Sequence, residues 1–263
     1  MKLYSRIYEA KCKPEEIKED IIILHGLFGI SDNWVGFARQ FSKYHRIIIP
    51  DLRNHGQSFH NDSFELDDLV ADLLNVINDN NSKSPILLGH SLGGRIAMRF
   101  ALLYPELISK LIVVDISLRS VRKKPEHIAI INIMKSFPID EMKSLEQIKD
   151  YLLKNIKHEK LRRIVLKNIL KTSDSFQWKV YFKPLIKLFD KESEAIATDQ
   201  VFEKETLFIR GGNSDYILDS DIAMIKEHFP NSEIKTIEGA SHWVQADKPL
   251  EFIKTVISFI DKK

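Results

Sequence analysis

Ser91 lies in the pentapeptide Gly-His-Ser-Leu-Gly, residues 89–93, directly after an apolar run and directly before a helical segment. The pattern G-x-S-x-G between a buried strand and a helix is typical of a serine nucleophile held on a tight turn. The N-terminus of the following helix would point free N–H groups and the positive end of its dipole at an anion formed beside the serine. The sequence therefore predicts that Ser91 is a nucleophile.

A serine hydroxyl is a weak nucleophile until a base takes its proton, and a third group must orient that base. His242 is the predicted base, because it follows the last apolar run, precedes the last helical segment and completes the chain order serine, acid, histidine. His25, His55 and His90 lie in other loop motifs, where packing and loop hydrogen bonds are a sufficient explanation for them.

Two aspartates could orient His242. Asp115 directly follows the apolar run Leu111–Val114, and Asp215 lies in the loop after the next core run. In an open parallel sheet both loops emerge at the edge where the carboxyl ends of the strands form ligand sites. The residues alone leave both candidates open.

The segment His-Gly-Leu-Phe-Gly, residues 25–29, follows the apolar run of residues 21–24 and is the predicted oxyanion turn. A turn at this place can direct the backbone N–H of Leu27 to the same point as the N–H of Leu92, the residue after Ser91. Two such donors would stabilise the negatively charged oxygen of a tetrahedral intermediate in acyl transfer.

Short apolar runs without alternation recur along the chain and are separated by segments with helical spacing. Such runs indicate strands buried on both faces, and the alternation of strand and helix predicts an α/β fold with a mostly parallel sheet flanked by helices. The opening residues 3–10 alternate and predict an edge strand.

The alternation of strand and helix stops after Asp115. Residues 117–205 show helical patterns and no convincing buried strand. We therefore expect a core made of residues 1–117 and 205–263, with an inserted helical cap formed by residues 118–204.

The 263 residues, of which 44% are hydrophobic and 29% charged, suit one folded unit with a sizeable core. Cys12 is the only cysteine, which excludes an internal disulfide and a cysteine-based metal cluster and fits a reducing compartment. The first residues lack the apolar core of a secretory signal, and no run approaches the roughly 20 apolar residues that span a bilayer. We therefore expect a cytoplasmic protein, or one of an organelle matrix, without a membrane span.

Charge is unevenly distributed along the chain. Residues 118–187 carry 17 Lys and Arg against 7 Asp and Glu, although the whole chain has a net charge of only +2. This segment is either a solvated helical face or a surface that attracts acidic substrates, with Arg119, Arg122, Lys123 and Lys124 nearest the predicted site. We expect no nucleic-acid partner, because the basic residues are not interleaved with aromatic residues in a known binding motif.

The order of oxyanion turn, serine, acid, inserted cap and histidine resembles the α/β-hydrolase superfamily over essentially the full chain. Five motifs are similar to those of the YbfF-like esterases: His-Gly-Leu-Phe-Gly with Asp-Asn-Trp at 25–34, Asp-Leu-Arg-Asn-His-Gly-Gln-Ser at 51–58, Val-Asp-Ile at 114–116, Gly-Gly-Asn-Ser at 211–214 and Gly-Ala-Ser-His-Trp at 239–243. The resemblance implies an α/β-hydrolase fold, activity on short acyl esters and acyl-CoA thioesters without a cofactor or metal, and Asp115 as the acid. Asp215 departs from the pattern, because that position is often not acidic in this group.

Two other functions are compatible with the same fold. A lyase similar to the menaquinone-pathway synthase would use the three groups to abstract a proton without forming an acyl-enzyme, although the Asn54-His55 pair fits it less well. A non-catalytic binding protein of this fold often lacks one of the three groups, and none is missing here. The sequence therefore predicts a serine hydrolase that cleaves short to medium acyl esters or acyl-CoA thioesters through an acyl-enzyme on Ser91.

Overall fold

The computed structural model describes residues 1–120, 125–187, 195–196 and 198–262. Its strands are β1 Ser5–Tyr8, β2 Ile21–Leu24, β3 Ile47–Pro50, β4 Ile86–His90, β5 Lys110–Val114, β6 Ile169–Lys171, β7 Phe176–Trp178, β8 Thr206–Gly211 and β9 Ser232–Ile237. Its α-helices are α1 Val35–Phe41, α2 Leu66–Asp79, α3 Leu92–Leu103, α4 Pro125–Ser136, α5 Leu145–Asn155, α6 Glu159–Lys167, α7 Phe182–Lys187, α8 Ile222–His228, α9 Val244–Asp247 and α10 Pro249–Ile260.

The main sheet has the strand order β1-β3-β2-β4-β5-β8-β9, and its strands are parallel except for β1, which pairs antiparallel with β3 at one edge. The predicted mostly parallel sheet flanked by helices is confirmed. In its register Gly89 of β4 lies opposite both Leu24 of β2 and Val113 of β5. The loops after these three strands therefore emerge side by side at the carboxyl edge.

The sheet is buried on both faces, which explains why its central strands are uniformly apolar. Successive side chains of a strand point to opposite faces. Ile22 and Leu24 lie in one apolar cluster with side chains of α2 and α3, whereas Ile21 and Ile23 lie in another with side chains of α1 and α10. Each strand end is thereby held between two layers of helices, which gives the loops at the carboxyl edge a rigid base.

The inserted segment, residues 118–204, contains α4 to α7 and the antiparallel hairpin β6–β7. Ser144 caps the N-terminus of α5, because its hydroxyl accepts the N–H of Gln147 at 3.1 Å. The expectation of no buried strand in this segment did not anticipate the hairpin, in whose strands only Ile169 and Phe176 are buried. Each of its strands has only three residues, which is too short to produce a recognisable apolar run.

The inserted segment packs on the main sheet. Ile148 and Val165 are buried in the same apolar cluster as the face of the sheet that carries Ile22. Since one core spans both parts, the division of the chain at residues 117/118 and 204/205 stays a prediction.

No helix within the described ranges is long and apolar enough to cross a membrane.

Candidate active site

The turn at Ser91 joins β4 to α3. Ser91 has a φ of 52° and a ψ of −115°, a conformation that residues other than glycine rarely adopt. Its N–H donates to the carbonyl of Val114 in β5 at 3.0 Å. Glycine is required on both sides, because a Cβ at Gly89 would overlap the backbone of Gly93 and a Cβ at Gly93 would overlap that of Leu24. The hydroxyl is thereby held at the carboxyl edge of the sheet.

Ser91, His242 and Asp115 form one hydrogen-bonded chain. His242 Nε2 lies 2.9 Å from Ser91 Oγ, and His242 Nδ1 lies 2.8 Å from Asp115 Oδ2. An ionised carboxylate only accepts hydrogen bonds, so the proton of neutral His242 is on Nδ1, and Nε2 accepts from the serine hydroxyl. The arrangement matches that of a nucleophile, a base and an acid that orients the base.

The carboxylate of Asp115 is fully buried. Besides His242, it accepts hydrogen bonds from the N–H of Gly211 at 2.9 Å and from the hydroxyl of Ser214. Burial raises the pKa of Asp115 and the bonds from Ser214 and Gly211 partly oppose this effect, so that the resulting pKa is raised to about 6. At neutral pH the carboxylate is ionised, and these donors favour that state.

Two aromatic residues hold His242 in place. Tyr216 stacks on its imidazole with 3.6 Å between the ring centroids and 13° between the ring planes. Burial lowers the pKa of His90 to about 3, so this residue is neutral at pH 7 and donates from Nε2 to the backbone carbonyl of His242 at 2.8 Å. The base is therefore fixed through both its ring and its backbone.

The predicted oxyanion turn packs against Ser91. The N–H of Gly29 donates to the carbonyl of Gly26 at 2.8 Å. Of the two central residues, Phe28 has a φ of 60° and Leu27 has no positive φ, which defines a type II turn. A Cβ at Gly26 would lie 3.2 Å from the Cβ of Ser91, so the glycine lets the turn approach the serine closely.

The N–H groups of Leu27 and Leu92 are available to an anion beside Ser91. Leu92 is the first residue of α3, where an N–H has no acceptor within the helix. Leu27 lies in the turn, and neither N–H donates to another group in the described part of the chain. The arrangement is compatible with the predicted pair of oxyanion donors.

His25 and His55 are buried beside the turn. His25 donates from Nδ1 to the carbonyl of Gly26 at 2.8 Å and accepts the N–H of Leu52 at Nε2 at 3.0 Å. His55 accepts the N–H of Phe28 at Nε2 at 3.2 Å. Burial lowers the pKa of His25 to about 4 and that of His55 to about 3, so both are neutral at pH 7. They act as hydrogen-bonding supports of the loops, as interpreted from the sequence.

Asp215 does not take the position beside Nδ1 of His242, which Asp115 occupies. Asp215 is exposed, and its backbone carbonyl accepts a hydrogen bond from Arg119. Its charge raises the pKa of Asp115 slightly, so the two carboxylates are near each other. Of the two aspartates that the sequence left open, the structure brings Asp115 to the histidine.

The basic residues expected near the site are only partly described. Arg119 forms an ion pair with Asp221 at 3.0 Å, so its charge is compensated locally. The other three positions lie outside the described residues: Arg122, Lys123 and Lys124.

The inserted segment contacts the loop that carries His242. Lys160 of α6 places its Nζ 2.9 Å from Ser241 Oγ and 3.0 Å from Asp247 Oδ1, and 4.2 Å from the ring centroid of Trp243. From α4, His127 has its ring centroid 6.4 Å from that of His242. These residues therefore lie beside the loop that carries His242.

Sequence reasoning assigned no role to Ser214, Tyr216, Lys160 or Asn168. Ser214 lies in the Gly-Gly-Asn-Ser motif, so the motif pointed to its importance without indicating the bond to Asp115. No local pattern signals the other three, because their contacts join segments that are far apart in the chain. Among the described residues, no group of three or more His, Cys, Asp or Glu side chains could hold a metal ion.

Known proteins resemble this chain in sequence and fold. A family model described as alpha/beta hydrolase fold matches residues 21–144. A Haemophilus influenzae protein named as an esterase/lipase is 36% identical over 92% of this chain and 83% of its own length. Esterase YbfF of Escherichia coli is 27% identical over 92% of each chain. The solved structure of a marine microorganism esterase has a TM-score of 0.90 and 34% identity, covering 98% of this chain and 99% of the other. The chain therefore belongs to the α/β-hydrolase family and groups with its esterases.

Proposed function

We propose that the protein is a serine hydrolase that cleaves short to medium acyl esters or acyl-CoA thioesters through an acyl-enzyme on Ser91. The observation that carries this proposal is the continuous hydrogen-bonded chain from Ser91 through His242 to Asp115. The names of the esterase relatives support an ester bond as the target.

Acylation begins when Ser91 Oγ attacks the carbonyl carbon of the ester and its proton passes to Nε2 of His242. The carbonyl oxygen becomes negatively charged and accepts hydrogen bonds from the N–H groups of Leu27 and Leu92. Asp115 stabilises the imidazolium that forms. The bond from carbon to the alcohol oxygen or thiol sulfur then breaks, and His242 gives its proton to the leaving group.

Deacylation repeats the same steps with water. Nε2 of His242 takes a proton from the water molecule, whose oxygen attacks the acyl carbon. The tetrahedral intermediate collapses, the carboxylic acid leaves, and the proton returns to Ser91 Oγ. We further propose that the inserted segment, residues 118–204, acts as the cap of the site, because His127 and Lys160 lie beside the loop that carries the base.

Covalent labelling tests the acyl-enzyme. A fluorophosphonate should label the parent protein and the matched control Ser63→Ala, whose exposed hydroxyl bonds to Asp68, but not Ser91→Ala. Intact mass spectrometry after rapid mixing with a p-nitrophenyl ester should detect one added acyl group. A lyase would turn over no ester, and a binding protein would neither label nor turn over. Equal labelling of the parent and Ser91→Ala would contradict the proposal.

A hydrolysis panel tests the substrate class. The same series of acyl lengths is offered as p-nitrophenyl esters and as CoA thioesters, with Ser91→Ala as the blank. We expect the highest kcat/KM for short to medium chains in at least one series. Turnover that is confined to long-chain esters would contradict the proposed range.

A further inference from the structure

Asn168 connects the inserted segment to the predicted oxyanion turn. It follows α6 directly and has no exposed surface. Its Nδ2 donates to the carbonyl of Ile164 in its own helix and to the carbonyl of Phe28, each at 2.9 Å. Phe28 adjoins Leu27, which is one of the two proposed oxyanion donors. A side chain 140 positions away in the sequence therefore contacts the turn beside Ser91.

The side chain of Asn168 is held firmly in this orientation. Its backbone N–H donates to the carbonyl of Val165 at 3.0 Å, and its carbonyl accepts the N–H of Lys179 at 2.8 Å. Two carbonyl acceptors face its amide nitrogen, so a flipped amide would place oxygen against oxygen. Its Oδ1 is buried without a partner in the described part of the chain, which is unfavourable. The amide nitrogen of Asn168 is therefore committed to two carbonyls, one in its own helix and one in the turn.

Phe28 needs such support because its backbone is strained. Its φ of 60° is uncommon for a bulky residue, and such conformations persist where the surroundings impose them. The N–H of Phe28 donates to His55, and its carbonyl accepts from Asn168. The bond to His55 thus comes from the core outside the inserted segment, and the bond from Asn168 comes from the inserted segment. If the second is lost, the backbone of Phe28 can relax toward a less strained conformation, and the adjoining Leu27 can shift with it.

We propose that Asn168 is a positioning residue, which holds the oxyanion turn in its strained shape and thereby couples the inserted segment to catalysis. The inference rests on the proposed function, since it concerns the direction of the Leu27 N–H at the transition state. Asn168 acts through Phe28 and does not touch the substrate. We therefore expect loss of Asn168 to lower kcat and to leave KM nearly unchanged.

The test compares Asn168→Leu with Asn155→Leu. Asn155 is a matched control, because it ends α5 and its Nδ2 donates to the carbonyl of Tyr151 at 2.8 Å, but it is exposed. Active sites are titrated with a fluorophosphonate, so that kcat refers to folded enzyme. We expect Asn168→Leu to lose about tenfold or more in kcat with KM changed by less than about threefold, and Asn155→Leu to stay within about twofold of the parent.

Two further readouts separate positioning from a merely structural role. A boronic acid that forms a tetrahedral adduct with Ser91 should bind Asn168→Leu more weakly, by about the factor lost in kcat. Asn168→Asp keeps the shape but loses the donor while ionised. Because burial raises the pKa of a carboxyl group, the protonated form should restore a donor as the pH falls. The activity of Asn168→Asp relative to the parent should therefore rise from pH 8 to pH 6, and that of Asn168→Leu should not.

Retention of the parent kcat per titrated site in Asn168→Leu would overturn this inference, as would unchanged affinity for the boronic acid. Both results would leave the proposed function intact, because the parent would still hydrolyse esters in a Ser91-dependent manner. Absence of that dependence in the parent would overturn the proposed function itself.

Discussion

The hydroxyl of Ser214 stabilises the ionised form of Asp115, the acid of the proposed active site. Ser214 donates to Asp115 Oδ2, which lowers the pKa of Asp115, whereas burial raises this pKa, so that the resulting pKa is raised to about 6. A hydrogen bond to a charged group contributes about 1.5–3 kcal/mol to stability, and one pKa unit corresponds to about 1.36 kcal/mol. We therefore expect Ser214→Ala to raise the pKa of Asp115 to about 7 or higher.

The expected effect on activity follows from the protonation state of Asp115, because only the ionised carboxylate supports catalysis. His242 accepts the serine proton efficiently only while an ionised Asp115 stabilises the imidazolium. Protonation of Asp115 therefore contributes to the acidic limb of the profile of kcat/KM against pH, and a higher pKa moves this limb to higher pH. In Ser214→Ala the limb should shift upward by about one pH unit or more, and activity should recover toward the parent in alkaline solution.

The assay follows release of the carboxylic acid by chromatography between about pH 5 and pH 9, so that no indicator titrates with the enzyme. Ser63→Ala is the control, because its hydroxyl bonds to the carboxylate of Asp68 on the surface and lowers the pKa of that group. Its profile should match that of the parent. A Ser214→Ala profile that is lowered equally at every pH, with an unmoved acidic limb, would refute the reasoning.

Three further predictions test other parts of the site. Asp115→Asn should lower kcat by about 10³–10⁴-fold, because the amide favours the wrong tautomer of His242, whereas Asp215→Asn should have a much smaller effect in the same assay. Ser91→Gly should melt at a higher temperature than Ser91→Ala in calorimetry, since only glycine relieves the roughly 1–3 kcal/mol of strain at this φ; equal melting temperatures would contradict it. Raising salt from about 0.1 M to about 1 M should lower kcat/KM for CoA thioesters but not for neutral esters, because the Debye length falls from about 10 Å to about 3 Å; equal salt dependence would mean that the basic segment is only a solvated surface.

Much of the sheet and the proposed nucleophile and base could be predicted from the sequence, because local patterns determine them. The apolar run at residues 21–24 coincides with β2, and a strand buried on both faces requires such a run. The start of α3 at Leu92 is not evident from the sequence, because Gly93 and Gly94 are weak helix formers. These glycines are present for close packing, since a Cβ at Gly94 would lie 2.5 Å from the Cγ2 of Ile116.

The contacts across the site could not be predicted, because they join distant segments. Asp115 and Asp215 follow adjacent strands and have the same side chain, so only the three-dimensional arrangement shows which one reaches His242. Asn168 resembles any residue at the end of a helix, and its bond to Phe28 depends on how the inserted segment packs. Patterns with a short period carry no information about such long-range contacts.

The buried histidines around the site are uncharged and therefore do not lower the pKa of His242, the proposed base. The ring centroid of His90 lies 4.9 Å from that of His242. Two positive charges about 5 Å apart repel each other by about 3 kcal/mol at an effective dielectric constant of about 20, which would lower the pKa of the second group by about two units. Burial instead lowers the pKa of His90 to about 3, and its neutral ring donates to the backbone of His242. His25 and His55 are kept neutral in the same way. Because burial keeps these three histidines uncharged, they support the loops without lowering the pKa of His242. The charge that acts directly on His242 is that of Asp115.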